Sequence, residues 1–271
     1  MHGHDLPVST RRSALSPLSA ARGMTTVELA MVLLIISVTV GLGAVVASTS
    51  ISRAESAEST QQMALMLALT QRFVIANNRA PCPDRNGDGQ EQCLALGNPG
   101  AAQLGLFPFR TLGLGSPVVD GQGQPIRYGA NPSLQAPGTV TLASWDFPSG
   151  ALDRFCAALR TRLTGGFDAS ELAVAPVGQS SCTASNGAFN PAVVFVSAGG
   201  DQDNSGDRFD GALNRAAVRA GGLCVDNPGR AVASGYDDQV RAIGLSELNG
   251  LLCMKGRDSF DGGLNAGGGS P

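Results

Sequence analysis

Residues 29–52 read LAMVLLIISVTVGLGAVVASTSIS and contain no charged side chain. This run constrains the chain more than any other feature. A helix rises ~1.5 Å per residue, so about 20 such residues cross the ~30 Å hydrocarbon layer of a bilayer. The run is long for the apolar part of a secretory signal. Arg11, Arg12 and Arg22 precede it against a single Asp5, giving residues 1–23 a net charge of +2 and the remainder −5. Basic residues before an apolar span orient it with its N-terminal side in the cytoplasm. The expected arrangement is a single-pass helix over about 29–50, with the rest of the chain on the far side.

Glu28 breaks the pattern at the mouth of this run. A carboxylate entering an apolar layer needs a partner, because an unpaired charge there is expensive. Alone, Glu28 could be a residue of the headgroup region. Its neighbours make it more specific. The stretch Gly23-Met24-Thr25-Thr26-Val27-Glu28-Leu29, with arginines before it and the apolar run behind, resembles the N-terminus of type IV prepilins and type II secretion pseudopilins. The resemblance implies that a prepilin peptidase cuts after Gly23 and methylates the new amine of Met24. It also implies that Glu28 is the assembly residue, pairing with the Met24 amine of an adjacent subunit. Gly41 and Gly43 interrupt the apolar helix, and the resemblance implies local melting there on assembly. His2 and His4 fall in the segment that would be removed.

Beyond the apolar run, residues 52–77 contain neither Pro nor Gly. Met63, Met66, Leu67 and Thr70 recur at helical spacing, followed by Phe73 and Val74, with Glu55, Glu58, Gln61 and Gln62 on polar faces. The pattern predicts that the helix continues and lays an apolar side on a globular head. Pro81 and Pro83 end it. The expected fold class is α+β, a pilin fold. A long N-terminal membrane-spanning helix would pack on an antiparallel β-sheet head with insertions. The expected organisation is a leader over 1–23, a spine over 24–80, a head over 81–260 and a disordered tail over 261–271.

Within the head, Asp84, Asn86, Asp88 and Gly89 match the start of an EF-hand loop, but Ala95 stands where a bidentate Glu is needed. An Asx-rich turn is the alternative. Asp120, Gly123, Pro125 and Tyr128 are similar to a turn-and-strand motif of major pseudopilins, with Gln122 in place of the family's Trp. Strands are expected at 126–130, 139–143 and 192–198, the last short, β-branched and apolar. The segment Ser197-Ala198-Gly199-Gly200-Asp201 is similar to the one that opens the calcium loop of major pseudopilins. Asp201, Asp203, Asp207 and Asp210 crowd into ten residues. A hard dication with oxygen ligands would relieve their repulsion, so Ca2+ is a candidate ligand, with a solvated acidic loop as the alternative.

About 60 residues separate the Tyr128 strand from this loop, and 131–190 reads as an insertion. It carries Trp145 and Phe147, a helix expected over 151–163, and Cys156 and Cys182. The C-terminal part reads as a strand over 236–243 and a short helix over 245–254. Six cysteines, Cys82, Cys93, Cys156, Cys182, Cys224 and Cys253, all lie beyond the apolar run and include no CxxC pair. Disulfides in an oxidising compartment are expected, in nearest-neighbour order, with buried free thiols as the alternative.

No histidine remains after the expected cleavage, and no nucleophile elbow or phosphate-binding loop occurs. The chain therefore reads as a non-enzyme. No basic stripe suggests nucleic acid. The resemblance implies a structural subunit, minor in number, of a type IV pilus or type II secretion pseudopilus. Its partners would be other pilin or pseudopilin subunits, prepilin peptidase and the inner membrane. Its head would be periplasmic before assembly, and the filament periplasmic or at the cell surface after it. The alternative is an anchored adhesin whose insertion recognises a ligand.

Overall fold

A computed structural model describes residues 25–93, 103–135, 151–203, 205–233 and 235–254. The chain divides into two compact units, 1–49 and 50–271. Helix α1 (Thr26–Asn77) begins in the first and continues into the second.

In the first unit, α1 starts with a capping box. Thr25 donates its backbone N–H and its hydroxyl to Glu28 Oε2, at 2.9 and 3.1 Å. The Glu28 N–H returns to Thr25 Oγ1 at 3.3 Å. These contacts satisfy donors that a helix start otherwise leaves open. Behind the cap, Leu33, Leu34, Ile35 and Ile36 are each more than half exposed. Consecutive helical residues point ~100° apart, so apolar surface is open on every side of this stretch.

The expected membrane-spanning helix requires correction. Among the described residues, no helix is long and apolar enough to cross a membrane. Arg53, Glu55, Glu58 and Arg72 charge the later turns of α1. The α+β class and the antiparallel sheet stand; the pilin fold built on a long apolar spine does not. Of residues 39–52 only the helical backbone is described.

The second unit is built on a four-stranded sheet, β1 (Leu104–Leu106), β2 (Arg127–Ala130), β4 (Pro191–Ser197) and β6 (Gln239–Gly244), antiparallel throughout and in that spatial order. β4 is central and all seven of its residues are buried. Its alternation fills two cores. Val193 and Phe195 face a cluster with Tyr128, Phe107, Met63, Met66 and Val74. Val194 and Val196 face a second with Leu172, Val174, Phe209 and Val225. A central strand covered on both faces reads as a continuous apolar run, which is how residues 192–198 announce themselves. Tyr128 is fully buried and donates its hydroxyl to the Pro81 carbonyl at 2.9 Å, fixing the end of the helix against the sheet.

The turn before β2 docks on α1. Asp120 accepts the Gln122 and Gln124 N–H groups at 3.0 and 2.8 Å and the Ser197 hydroxyl at 2.8 Å. Gly121 then lies against α1, its N–H on Ser59 Oγ at 3.0 Å, where any Cβ would collide with the Glu55 backbone. Gln122 reaches Glu55 through its side-chain amide.

Between β2 and β4 the chain adds helices α2 (Pro132–Gln135) and α3 (Ala151–Thr164) and strand β3 (Ala173–Val174). β3 pairs in parallel with β5 (Cys224–Val225). The interval is not a surface appendage: Phe155 and Leu159 of α3 are fully buried in the core that holds Tyr128. Helix α4 (Ala212–Arg219) precedes β5, and α5 (Leu245–Asn249) follows β6. The strand expected over 139–143, Trp145, Phe147 and the tail over 261–271 lie outside the described residues.

All six cysteines are paired, as Cys82–Cys93, Cys156–Cys253 and Cys182–Cys224. Only the first follows nearest-neighbour order. The reason is the path of the chain: α3 packs beside α5 and the turn after it, which puts Cys156 against Cys253. The parallel β3–β5 pair carries Cys224 to the segment that follows β3, where Cys182 lies.

Candidate functional site

Two places carry functional chemistry, and each is described by itself. In the first unit, Gly23 and Met24 lie outside the described residues, and Glu28 is the residue of interest. Among the described residues its carboxylate is held by Thr25 alone, exposed at the start of an apolar helix.

In the second unit, antiparallel pairing assembles an acidic cluster from two segments of the chain, 201–210 and 237–238. Ser197, the last residue of β4, pairs with Gln239, the first of β6. The loop leaving β4 therefore lies beside Asp237 and Asp238, which lead into β6. Gly199 adopts φ +61°, and a Cβ there would strike the Asp237 carboxylate. Glycine is required by conformation and by space. The Gly200 N–H then donates to Asp237 Oδ2 at 2.9 Å.

Ligand oxygens of Asp210, Asp237 and Asp238 lie within 4.8 Å of one another, as do those of Asp201, Asp203 and Asp210. The two trios differ in what surrounds them. Asp201 and Asp203 are exposed, and their oxygens are taken by their own loop. Asp201 accepts the Ser205 and Gly206 N–H groups, each at 3.0 Å. Asp203 accepts the Ser205 N–H at 2.9 Å and Arg215 Nη2 at 2.6 Å. The Ser205 hydroxyl and then Arg215 hold the Asp203 carboxyl down at about 2.

The inner trio is less exposed, and although Asp210 accepts the Gln202, Asp203 and Asp237 N–H groups at 3.1, 3.2 and 3.1 Å, one oxygen of the trio is left without a donor. Burial pushes Asp237 up to about 6, with the neighbouring Asp210 carboxyl adding to the effect. Burial also pushes Asp238 to about 6, although Asn214 and the Gly211 and Asp210 N–H groups donate to it. Asp237 Oδ1 is buried with no hydrogen-bond partner. An unpartnered carboxylate oxygen facing two other carboxyls fits a bound cation, since desolvated like charges otherwise favour protonation. Asp210, Asp237 and Asp238 would hold Ca2+, a hard cation that takes carboxylate and carbonyl oxygens. Bound there, the ion would tie the loop after β4 to the entry of β6.

The expected set of four aspartates is thereby redrawn. Asp201, Asp203 and Asp210 come together, but Asp207 does not join them. It is buried and turned toward α4, where Oδ2 meets Arg219 Nε at 2.9 Å and Arg215 Nε at 3.2 Å. Asp237 and Asp238 were missed as site residues, being read only as part of a strand over 236–243, whereas β6 begins at Gln239. Their signal was an Asp-Asp pair at the start of a strand, which gains meaning only once β6 is known to neighbour β4.

No protein-family model matches the chain, and no curated protein or solved structure matches it.

The loop over 84–89 is the Asx turn, not a metal site. Asp84 is fully buried and accepts N–H groups from Asn86, Gly87 and Gly89 at 3.1, 2.7 and 2.7 Å. Its oxygens are occupied by backbone, and Cys82–Cys93 closes the loop. Glu91 beside that disulfide is paired with Arg79.

Proposed function

We propose that the chain is a structural subunit, minor in number, of a type IV pilus or type II secretion pseudopilus. In this reading prepilin peptidase cuts after Gly23, and the subunit polymerises through its N-terminal helix. The observation that carries the reading is a helix start with apolar surface open on every side and one carboxylate, Glu28, at its mouth. A contiguous apolar surface of this kind calls for partners to cover it. Neighbouring helices of the same kind would do so. The freed Met24 amine of one subunit would neutralise Glu28 of the next and set their axial register, the best-attested use of a buried ion pair.

Thr25 takes the place of that amine within the single chain. Assembly would exchange a local cap for an intersubunit pair. Three disulfides support an oxidising, extracytoplasmic setting for the head. Calcium between Asp210, Asp237 and Asp238 would stiffen the loop that the resemblance points to. The reading gives the chain no catalytic step.

The test is incorporation of Glu28→Gln, which keeps an acceptor oxygen for the cap and removes the charge. The reading expects unchanged helix content and loss of the variant from sheared filaments. Incorporation equal to wild type would contradict it.

A further inference from the structure

The second unit holds a polar cavity beside Asp207 of the acidic loop. It has a volume of about 400 Å³ and is lined in part by Arg127, Arg208, Arg219, Asp207, Phe209 and Val218. Three guanidinium groups thus face one carboxylate, and that carboxylate is already shared by Arg215 and Arg219. None of the described carboxylates pairs with Arg127 or Arg208.

Arg127 is the informative residue. It opens β2 opposite Val196, on the face of the sheet that carries Phe209 and Val240. Its Nε is buried and has no acceptor, and burial lowers its pKa. A buried donor left unsatisfied carries a desolvation penalty, and one on a charged group carries more. Arginine here is also expensive as mere packing, because a guanidinium stays charged wherever it is placed. The rest of its guanidinium lines the cavity with no described carboxylate to pair with.

We propose that this cavity binds an organic carboxylate. The Arg127 guanidinium, which lines the cavity, would receive its oxygens, since guanidinium and carboxylate match in shape and charge. Arg208 and Arg219, both exposed at the rim, supply the remaining positive charge. Pro125, Ala198, Phe209 and Val218 give the cavity an apolar wall, which suits the carbon skeleton of an organic acid better than a bare inorganic anion. The cavity shares no ligand with the calcium trio and does not depend on filament assembly.

The experiment is a titration of the full chain, in nonionic detergent, with succinate or inorganic phosphate at constant ionic strength, followed by amide chemical shifts and thermal unfolding. Succinate is expected to shift the amides of Ile126, Arg127 and 206–209 and to raise the midpoint of unfolding. Arg127→Gln is expected to weaken succinate ~10-fold or more, as loss of a charged hydrogen bond does, while keeping the calcium response of the wild type. Arg208→Gln, exposed and outside both cores, is expected to weaken succinate less and to fold normally. Absence of a succinate response in the wild type would overturn the proposal. So would an unaltered response in Arg127→Gln, or a response to phosphate alone.

Discussion

Asp210 Oδ2 accepts the backbone N–H of Asp237 at 3.1 Å, while the Asp237 carboxyl is held beside it by the Gly200 N–H. Two acidic residues 27 positions apart are thus locked face to face by backbone contacts that neither can leave cheaply. An arrangement that forces carboxyls together and buries one oxygen without a donor is poised for a cation. Calcium is therefore expected to raise the thermal midpoint, by linkage to the folded state. Asp237→Asn should abolish that rise, whereas Asp201→Asn should leave most of it. Calorimetry with and without chelator checks both.

The same burial gives a pH dependence of definite sign. Asp237 and Asp238 titrate at about 6 in the folded chain against an ordinary 3.8. Between those values the folded state holds more protons than the unfolded one, so stability falls as pH rises through this window. Asp203, held at about 2, acts in the opposite sense only at lower pH. In chelator, urea midpoints should drop between pH 4 and pH 6–7, and saturating calcium should flatten the drop. A chelated protein that gains stability over that range would contradict the burial of these two carboxyls.

Gly199 offers a packing test of the same loop. Gly199→Ala places a side chain at positive φ and against the Asp237 carboxylate. The strain alone is worth about 1–2 kcal/mol. The expected result is that loss in denaturant unfolding together with a weaker calcium response. Alanine at the neighbouring Gly200, where a Cβ meets nothing closer than 3.5 Å, should be milder.

The disulfides should contribute unequally. Cys156–Cys253 spans 97 residues and Cys82–Cys93 only 11. Cys182–Cys224 shortens the larger loop from within, yet it remains the longer one. Chain entropy then gives about 4 kcal/mol for Cys156–Cys253 and about 3 kcal/mol for Cys82–Cys93. Paired Cys→Ser variants measured by equilibrium unfolding should keep that order.

Local patterns in the sequence anticipated what local physics decides. The helical spacing of Met63, Met66 and Val74 anticipated the buried side of α1. The run of 192–198 anticipated the central strand, and the Asx pattern after Pro83 anticipated a closed turn. What escaped were facts of pairing over distance. Nothing in the spacing of Cys156 and Cys253 tells that α3 and α5 share a core. Asp237 and Asp238 read as ordinary strand residues until β6 is set beside β4. The spanning helix was misjudged for a related reason. A charge-free run was counted as one apolar span, whereas among the described residues no helix is long and apolar enough to cross a membrane and the later turns of α1 are charged. Glu28 had a second use hidden in plain spacing, since Thr25-x-x-Glu28 is a capping box.

The most direct measurement is the mass of the mature N-terminus, taken from the full-length chain expressed beside a prepilin peptidase. A polypeptide beginning at a methylated Met24, with residues 1–23 gone, is the predicted result. A chain that keeps Arg22 and Gly23, or starts elsewhere, would leave Glu28 without the freed amine and would contradict assembly through it.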